Sequence, residues 1–314
     1  MQLPRSYRLI SAVLVFICIL TGIAWSSGAF RHHVRAFVEK FQGHTGRNAY
    51  ALLLTSSENE RYFQSTRVML YQLLHSDFAG DIPVLVLVTK DVAQKDRARL
   101  KKDGAHVVPI EKIEAAEWMD AAESRWQDLL TKLRIFEQVE YDKICYLDTD
   151  ILIVKNMDGV FDDPATEIQS TLDKGENVEA AFPEHYMFAA RTDSWDYEHS
   201  SENPNYFNGG FLVFKPSQAM FNYYMELAKT QDLFDWGMME QSLLNYAHRQ
   251  GGSMPWQQMR KEWITDHPTE DDYNKGLKAF HDKFWDWQPA QSQFLHDMYM
   301  AREKEMEDYW KNKG

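Results

Sequence analysis

Residues 146–154 read YLDTDILIV, inside a longer apolar run that begins at Ile144. Such a run marks a buried strand, yet Asp148 and Asp150 stand near its middle. An unpaired buried carboxylate is costly or shifts to its neutral form, so something must compensate the pair. Residues i and i+2 of a strand project to one side, so the two carboxylates converge while Thr149 points away. Close carboxylates repel, and a shared hard cation is the natural compensation, with Mn²⁺ or Mg²⁺ suited to oxygen ligands. The pair follows Ile144–Leu147, which places it beyond the carboxyl end of a strand, where parallel α/β sheets bind ligands. A D-x-D pair alone is equally compatible with turn or cap aspartates.

The flanking pattern is α/β. Tyr50–Thr55, Ile82–Val88 and Ala105–Ile110 read as strands, separated by helices over Asn59–His75 and Asp91–Lys102. Trp126, Leu129, Leu130, Leu133 and Phe136 recur at helical spacing, which predicts an amphipathic helix over about Ser124–Val139. Continuous apolar strands alternating with helices indicate a mostly parallel, Rossmann-like sheet with helices on both faces. No G-x-G-x-x-G and no G-x-x-x-x-G-K follows a strand, so dinucleotide and P-loop phosphate binding are unsupported. Phe211–Phe214 is a further short strand, introduced by Asn208-Gly209-Gly210 as a turn, with helices expected at about 217–230 and 238–249. Trp256, Trp263, Trp285 and Trp287 suit either stacking on a ligand or core packing, the commoner use.

The chain of 314 residues carries a formal net charge of −13 with no basic cluster in its body, which argues against nucleic-acid binding. Its two cysteines, Cys18 and Cys145, offer no metal spacing and no expected disulfide. Leu9–Phe30 is an uncharged run of a length that spans a bilayer. It reads as an uncleaved anchor, with cleavage near Ser27-Gly28-Ala29 and secretion as the alternative. The expected organisation is a cytoplasmic tail at 1–8, a transmembrane signal anchor at 9–30 and a stem at 31–48. A catalytic domain at 49–290 and a charged C-terminal surface helix at 291–314 follow.

Five segments carry a more specific likeness. LTKLRIFEQVEYDKICYLDTDILIV (130–154), YFNGGFLVFKPS (206–217), DWGMMEQSLLN (235–245), AFHDKFW (279–285) and LTSSENERY (54–62) resemble, in chain order, motifs of glycosyltransferase family 8, the glycogenin-like retaining sugar-nucleotide transferases. The layout is most similar to fungal Golgi type II membrane members such as N-acetylglucosaminyltransferases. The resemblance implies a GT-A fold, a UDP-sugar donor (GlcNAc, glucose or galactose), a glycan acceptor and Mn²⁺, with Mg²⁺ as an alternative. It assigns Asp148, Asp150 and His281 to the metal and Lys283 to the leaving phosphate, and places Lys132 within reach of the donor. Asn208 and Gly209 would line the sugar pocket, with Glu240, Gln241 and Lys132 at the reacting centre. Leu54, Thr55 and Tyr62 would hold the nucleoside, and Thr149 lies in the donor site between the two aspartates. The sequence departs from the pattern in the compressed His281-Asp-Lys283, in Glu240 where aspartate is usual, and in Asn-Gly-Gly for Asn-Ser-Gly. No nucleophile stands out, which favours a front-face retaining mechanism. A D-x-D phosphatase and a silent membrane-anchored sugar-nucleotide or glycan-binding protein are the alternatives.

Overall fold

The computed structural model describes residues 47–119, 122, 124–175 and 182–313. The expected cytoplasmic tail, the anchor at 9–30 and the stem up to residue 46 lie outside the described residues. Among the described residues no helix is long and apolar enough to cross a membrane. Arg47–Gly314 form one compact unit.

The first half alternates strand and helix. β1 (Asn48–Leu54) starts inside the stretch expected as stem, and leads to α1 (Glu60–Leu74), β2 (Val84–Val88), α2 (Gln94–Lys102) and β3 (His106–Pro109). Asn59 caps α1 by accepting from the Arg61 amide at 3.0 Å, which ends the loop after β1. Ser124–Glu137 forms consecutive 3₁₀ turns in place of the expected α-helix. The buried residues Leu130, Leu133 and Phe136 fall three apart, a spacing that both helix types satisfy on one face. β4 (Lys143–Leu147) and β5 (Ile151–Ile153) then flank the two aspartates.

The second half returns through short strands, β6 (Gln169–Ser170), β7 (His185–Tyr186) and β8 (Phe188–Thr192), to the long β9 (Phe207–Phe214). α3 (Gln218–Leu227), α4 (Glu240–Ala247), β10 (Gln257–Gln258), β11 (Thr265–Asp266), α5 (Glu270–Asn274), β12 (Ala279–His281) and α6 (Gln293–Lys313) complete it. The main sheet has the order β10-β8-β9-β4-β1-β2-β3, with β9 antiparallel to both neighbours and the other pairings parallel. β1 shows why both faces are covered. Ala49 and Ala51 join the core beneath α3 and α4, while Tyr50, Leu52 and Leu54 join the one beneath α1.

A second sheet, β11-β12-β5, sets the site. β12 runs antiparallel to β5 and pairs His281 with Ile151, and β11 lies parallel beside it and pairs Asp266 with His281. The apolar run around the D-x-D is thus two strands in two sheets, broken at Asp148–Asp150. Asn208-Gly209-Gly210, expected as a turn, lies within β9.

The charged C-terminal stretch is a helix with a buried stripe, Leu295, Tyr299, Glu303 and Met306, spaced four, four and three residues apart. It packs on α1 through a bidentate Arg61–Glu303 pair with both distances 2.8 Å, and Arg61 stacks over Trp285. Leu295→Ala should therefore cost ~2–5 kcal/mol, the usual range for a buried leucine. The check is the thermal midpoint of the whole chain, expected to fall by roughly 2–4 °C per kcal/mol.

Candidate active site

Asp148 and Asp150 sit at the seam of the two sheets, and β12 delivers His281 to them from more than a hundred residues away. One ligand atom each from Asp148, Asp150 and His281 lie within 4.8 Å of one another. His281 Nε2 is 3.0 Å from Asp150 Oδ1, and its Nδ1 is 2.8 Å from Asp266 Oδ1. Burial works against a charged imidazole. Asp150 and Asp266 outweigh it and hold the His281 pKa well above its ordinary value. Burial likewise raises Asp150, but His281 and Lys283 pull it below the usual carboxylate range.

The donor set fits a small divalent cation. Two carboxylate oxygens and one imidazole suit Mn²⁺ or Mg²⁺, and a carboxylate on the far nitrogen is the usual orienting partner of a ligating histidine. Position 210 shows the same fit. A Cβ there would lie 2.6 Å from His281 Cε1 and 2.8 Å from Asp148 Oδ2, so glycine keeps the cleft between the ligands clear.

Beside the metal cleft lies a buried charge triangle. Lys132, only 2% exposed, places Nζ 2.6 Å from Glu240 Oε1 and 3.4 Å from Asp148 Oδ1. It also donates to the Gly209 carbonyl at 3.1 Å and lies over the Tyr146 ring. Burial opposes its charge, but Asp148 and Glu240 raise its pKa to about 12. Burial pushes Glu240 up against the pull of Lys132. Glu240 opens α4 directly after Met239, whose φ of 46° is strained for a side chain of its size. Glu240 Oε2 is buried and has no hydrogen-bond partner.

The third cluster surrounds β9. The Gly209 amide donates to Gln241 Oε1 at 2.7 Å, and the Gly210 amide to Asn208 Oδ1 at 2.7 Å. Asn208 and Gln241 both donate to the buried Asp193, at 3.1 and 3.0 Å. Burial and the nearby Asp266 push Asp193 up to about 6. Asn245 fastens α4 to β9 by pairing with both the amide and the carbonyl of Phe207 at 2.9 Å.

A cavity of about 360 Å³ opens beside Asp148 and Asp150. Leu54, Thr55, Tyr62, Asp148, Thr149, Asp150 and Lys283 line it. Thr149 accepts from Ser65 at 3.0 Å on α1, so it points away from the cleft that Asp148 and Asp150 share. Asn208, Gly209, Lys132, Glu240 and Gln241 do not line that cavity; Lys132 joins Asp148, which does. Trp256 and Trp263 are core residues. Sequence reasoning missed Asp193, Asp266, Tyr146 and Asn245. Tyr146 and Asn245 stood inside the family-like segments without an assigned role, and the signal at Asp193 was its place directly after an apolar strand. Asp266 had none, because its role arises only from the β11–β12 pairing.

Two measurements follow. Asp266→Asn should weaken Mn²⁺ binding ~10–100-fold by calorimetry while the chain stays folded, because it removes the charge behind His281. Asp193 binds more protons in the folded than in the unfolded state between its ordinary value near 3.8 and about 6. Stability should therefore fall as pH rises across that window. Asp193→Asn should flatten that step in a series of melting curves taken with chelator.

A model of the family described as "Glycosyl transferase family 8" matches residues 53–306. An uncharacterised protein of Schizosaccharomyces pombe is 28% identical over 96% of this chain and 94% of its own length. Galactinol synthase 1 of Ajuga reptans is 30% identical over 44% of each chain. The apo structure of the bifunctional glycosyltransferase WbbM is similar in fold at a TM-score of 0.52, with 15% identity over 84% of this chain and 52% of that one. With its mostly parallel sheet, its D-x-D at the seam and its histidine returned from the C-terminal side, the chain belongs to glycosyl transferase family 8.

Proposed function

We propose that this chain moves a hexose or N-acetylhexosamine from a UDP-sugar to a hydroxyl of a glycan acceptor, with retention at the anomeric carbon. One observation carries the reading: Asp148 and Asp150 line a cavity together with Thr55, Tyr62 and Lys283, and behind them converge His281 and the Lys132–Glu240 pair. The nucleoside end fits between Leu54, Thr55 and Tyr62, and the diphosphate lies along Asp148, Asp150 and Lys283. A divalent cation held by Asp148, Asp150 and His281 would supply Lewis-acid stabilisation of the departing diphosphate.

The chain's own groups do the rest. Lys283 adds positive charge on the cavity wall. Lys132 stays charged and fixes the Asp148 carboxylate in one orientation, assisted by the Tyr146 hydroxyl, which donates to it at 2.6 Å. Glu240 Oε2, buried without a partner, is the acceptor for a donor-sugar hydroxyl. Gln241 and Asp193 fix the β9 backbone along which that sugar lies. The bond from the anomeric carbon to the β-phosphate oxygen breaks with its electron pair passing to UDP. The acceptor oxygen bonds to the same face of that carbon, and its proton goes to the departing phosphate oxygen. No side chain is required as a covalent nucleophile.

Incubation with UDP-glucose, UDP-galactose and UDP-GlcNAc in Mn²⁺ should release UDP, and chelator should stop the release. Asp148→Ala and Asp150→Ala should each lower turnover by at least about a hundredfold, the usual scale for an electrostatic contribution of this kind. Full turnover by either variant refutes the assignment, and release of inorganic phosphate from simple monoesters would point to a phosphatase.

A further inference from the structure

The segment between β8 and β9 begins at Asp193 and ends at Tyr206, and its two ends are tied together by the Asp193 amide donating to the Tyr206 carbonyl at 3.1 Å. Both ends belong to the sugar side of the site. Asp193 accepts from Asn208 and Gln241, and the Tyr206 hydroxyl lies 3.4 Å from Gln241 Nε2. Between them stands Trp195, 54% exposed, whose ring faces that of Tyr206 at 6.5 Å and 35°.

An exposed tryptophan on a mobile loop would fold inward. Here the backbone is held so that it cannot. The Trp195 amide donates to Ser201 Oγ at 2.8 Å, and the Asp196 carboxylate accepts from the amides of Glu198 and Ser200. Three contacts bolt the loop to the body: Tyr197 to Asp282 at 2.9 Å, His199 to Asp272 at 3.0 Å and His267 to the Ser194 carbonyl at 2.7 Å. His199 adopts φ 54°, a conformation that tertiary contacts must impose. A rigid aromatic ring kept in water costs little to order on binding, which is the property of an anchor for a ligand.

We propose that Trp195, backed by Tyr206, is a stacking platform for a pyranose ring of the acceptor glycan. The inference rests on the transferase reading above. Its location selects the occupant. The nucleoside is assigned to Tyr62 and Thr55, whereas Trp195 lies two residues along the chain from Asp193, which holds Asn208 and Gln241, the residues assigned to the donor sugar. On the transferase reading the acceptor meets the donor sugar on the side of these residues. The apolar C–H face of a pyranose matches an indole face, while its hydroxyls stay in water.

The test separates the two readings. The full chain, with UDP and Mn²⁺, is applied to an array of mono- and oligosaccharides, and donor hydrolysis by water is measured in parallel. Wild type should retain a defined set of glycans. Trp195→Ala should lose at least tenfold of that retention while hydrolysing UDP-sugar within about twofold of wild type, and Trp195→Phe should recover most of the retention. Equal retention by Trp195→Ala overturns the platform, as does a wild type that hydrolyses donor yet retains no glycan. Absence of donor hydrolysis in wild type refutes the transferase reading, and the platform with it.

Discussion

Two carboxylates at the break between β4 and β5 constrain everything around them. Each needs a positive partner, and neither can find one on its own strand. Asp148 is met by Lys132 from the 3₁₀ turns, and Asp150 by His281 from β12. The second sheet exists in a form that answers this need, since pairing β12 to β5 in register at Ile151 sets His281 next to Asp150. Slipping that register by one residue would turn His281 to the other face and take from the part-buried Asp150 its closest cation.

The Lys132–Glu240 pair shows the energetic stake of this design. Both side chains are 2% exposed, so neither can recover its hydration by a small motion. Loss of one partner from such a pair typically costs roughly 3–5 kcal/mol, because the other charge is stranded. Lys132 also bonds the Gly209 carbonyl, so the charge triangle is welded to β9 and through Gln241 to α4. Stability and site geometry are therefore carried by the same contacts. A substitution in the triangle changes both.

The fold was legible where periodicity is simple. β1, β2 and β4 are continuous apolar runs, and they emerged as buried strands of a largely parallel sheet. Asp148, Asp150 and His281 were legible through the family resemblance, and the structure places their ligand atoms together. Residues whose role depends on long-range pairing were not legible. Asp266 matters because β11 runs beside β12, and nothing near it in sequence says so. The 3₁₀ turns were read as an α-helix because Leu130, Leu133 and Phe136 satisfy both periods. Asn208-Gly209-Gly210 looked like a turn because glycine usually marks one. In β9 glycine at 210 serves the opposite need: an uninterrupted strand whose side-chain space is occupied by His281 and Asp148.

On the proposed reading, an acidic chain that binds an anionic diphosphate donor must solve a field problem. With a net charge of −13, the surface repels the ligand at long range. Screening confines that repulsion to about 8 Å at physiological salt, so local charge decides once the donor enters the cavity. Among the described residues in and beside the cavity, Lys132, His281 and Lys283 face Asp148, Asp150 and Glu240, with Glu58 on the cavity wall and Asp266 on the far nitrogen of His281. Two of those three cations are already committed to carboxylates at 2.6–3.0 Å. Glu58 and Asp266 leave the carboxylates in excess, so a diphosphate entering alone would meet net negative charge. On the proposed reading a metal ion bound with the nucleotide would tip that balance, and because a ligating His281 must give up its proton, the coupling would run through charge and proton release together.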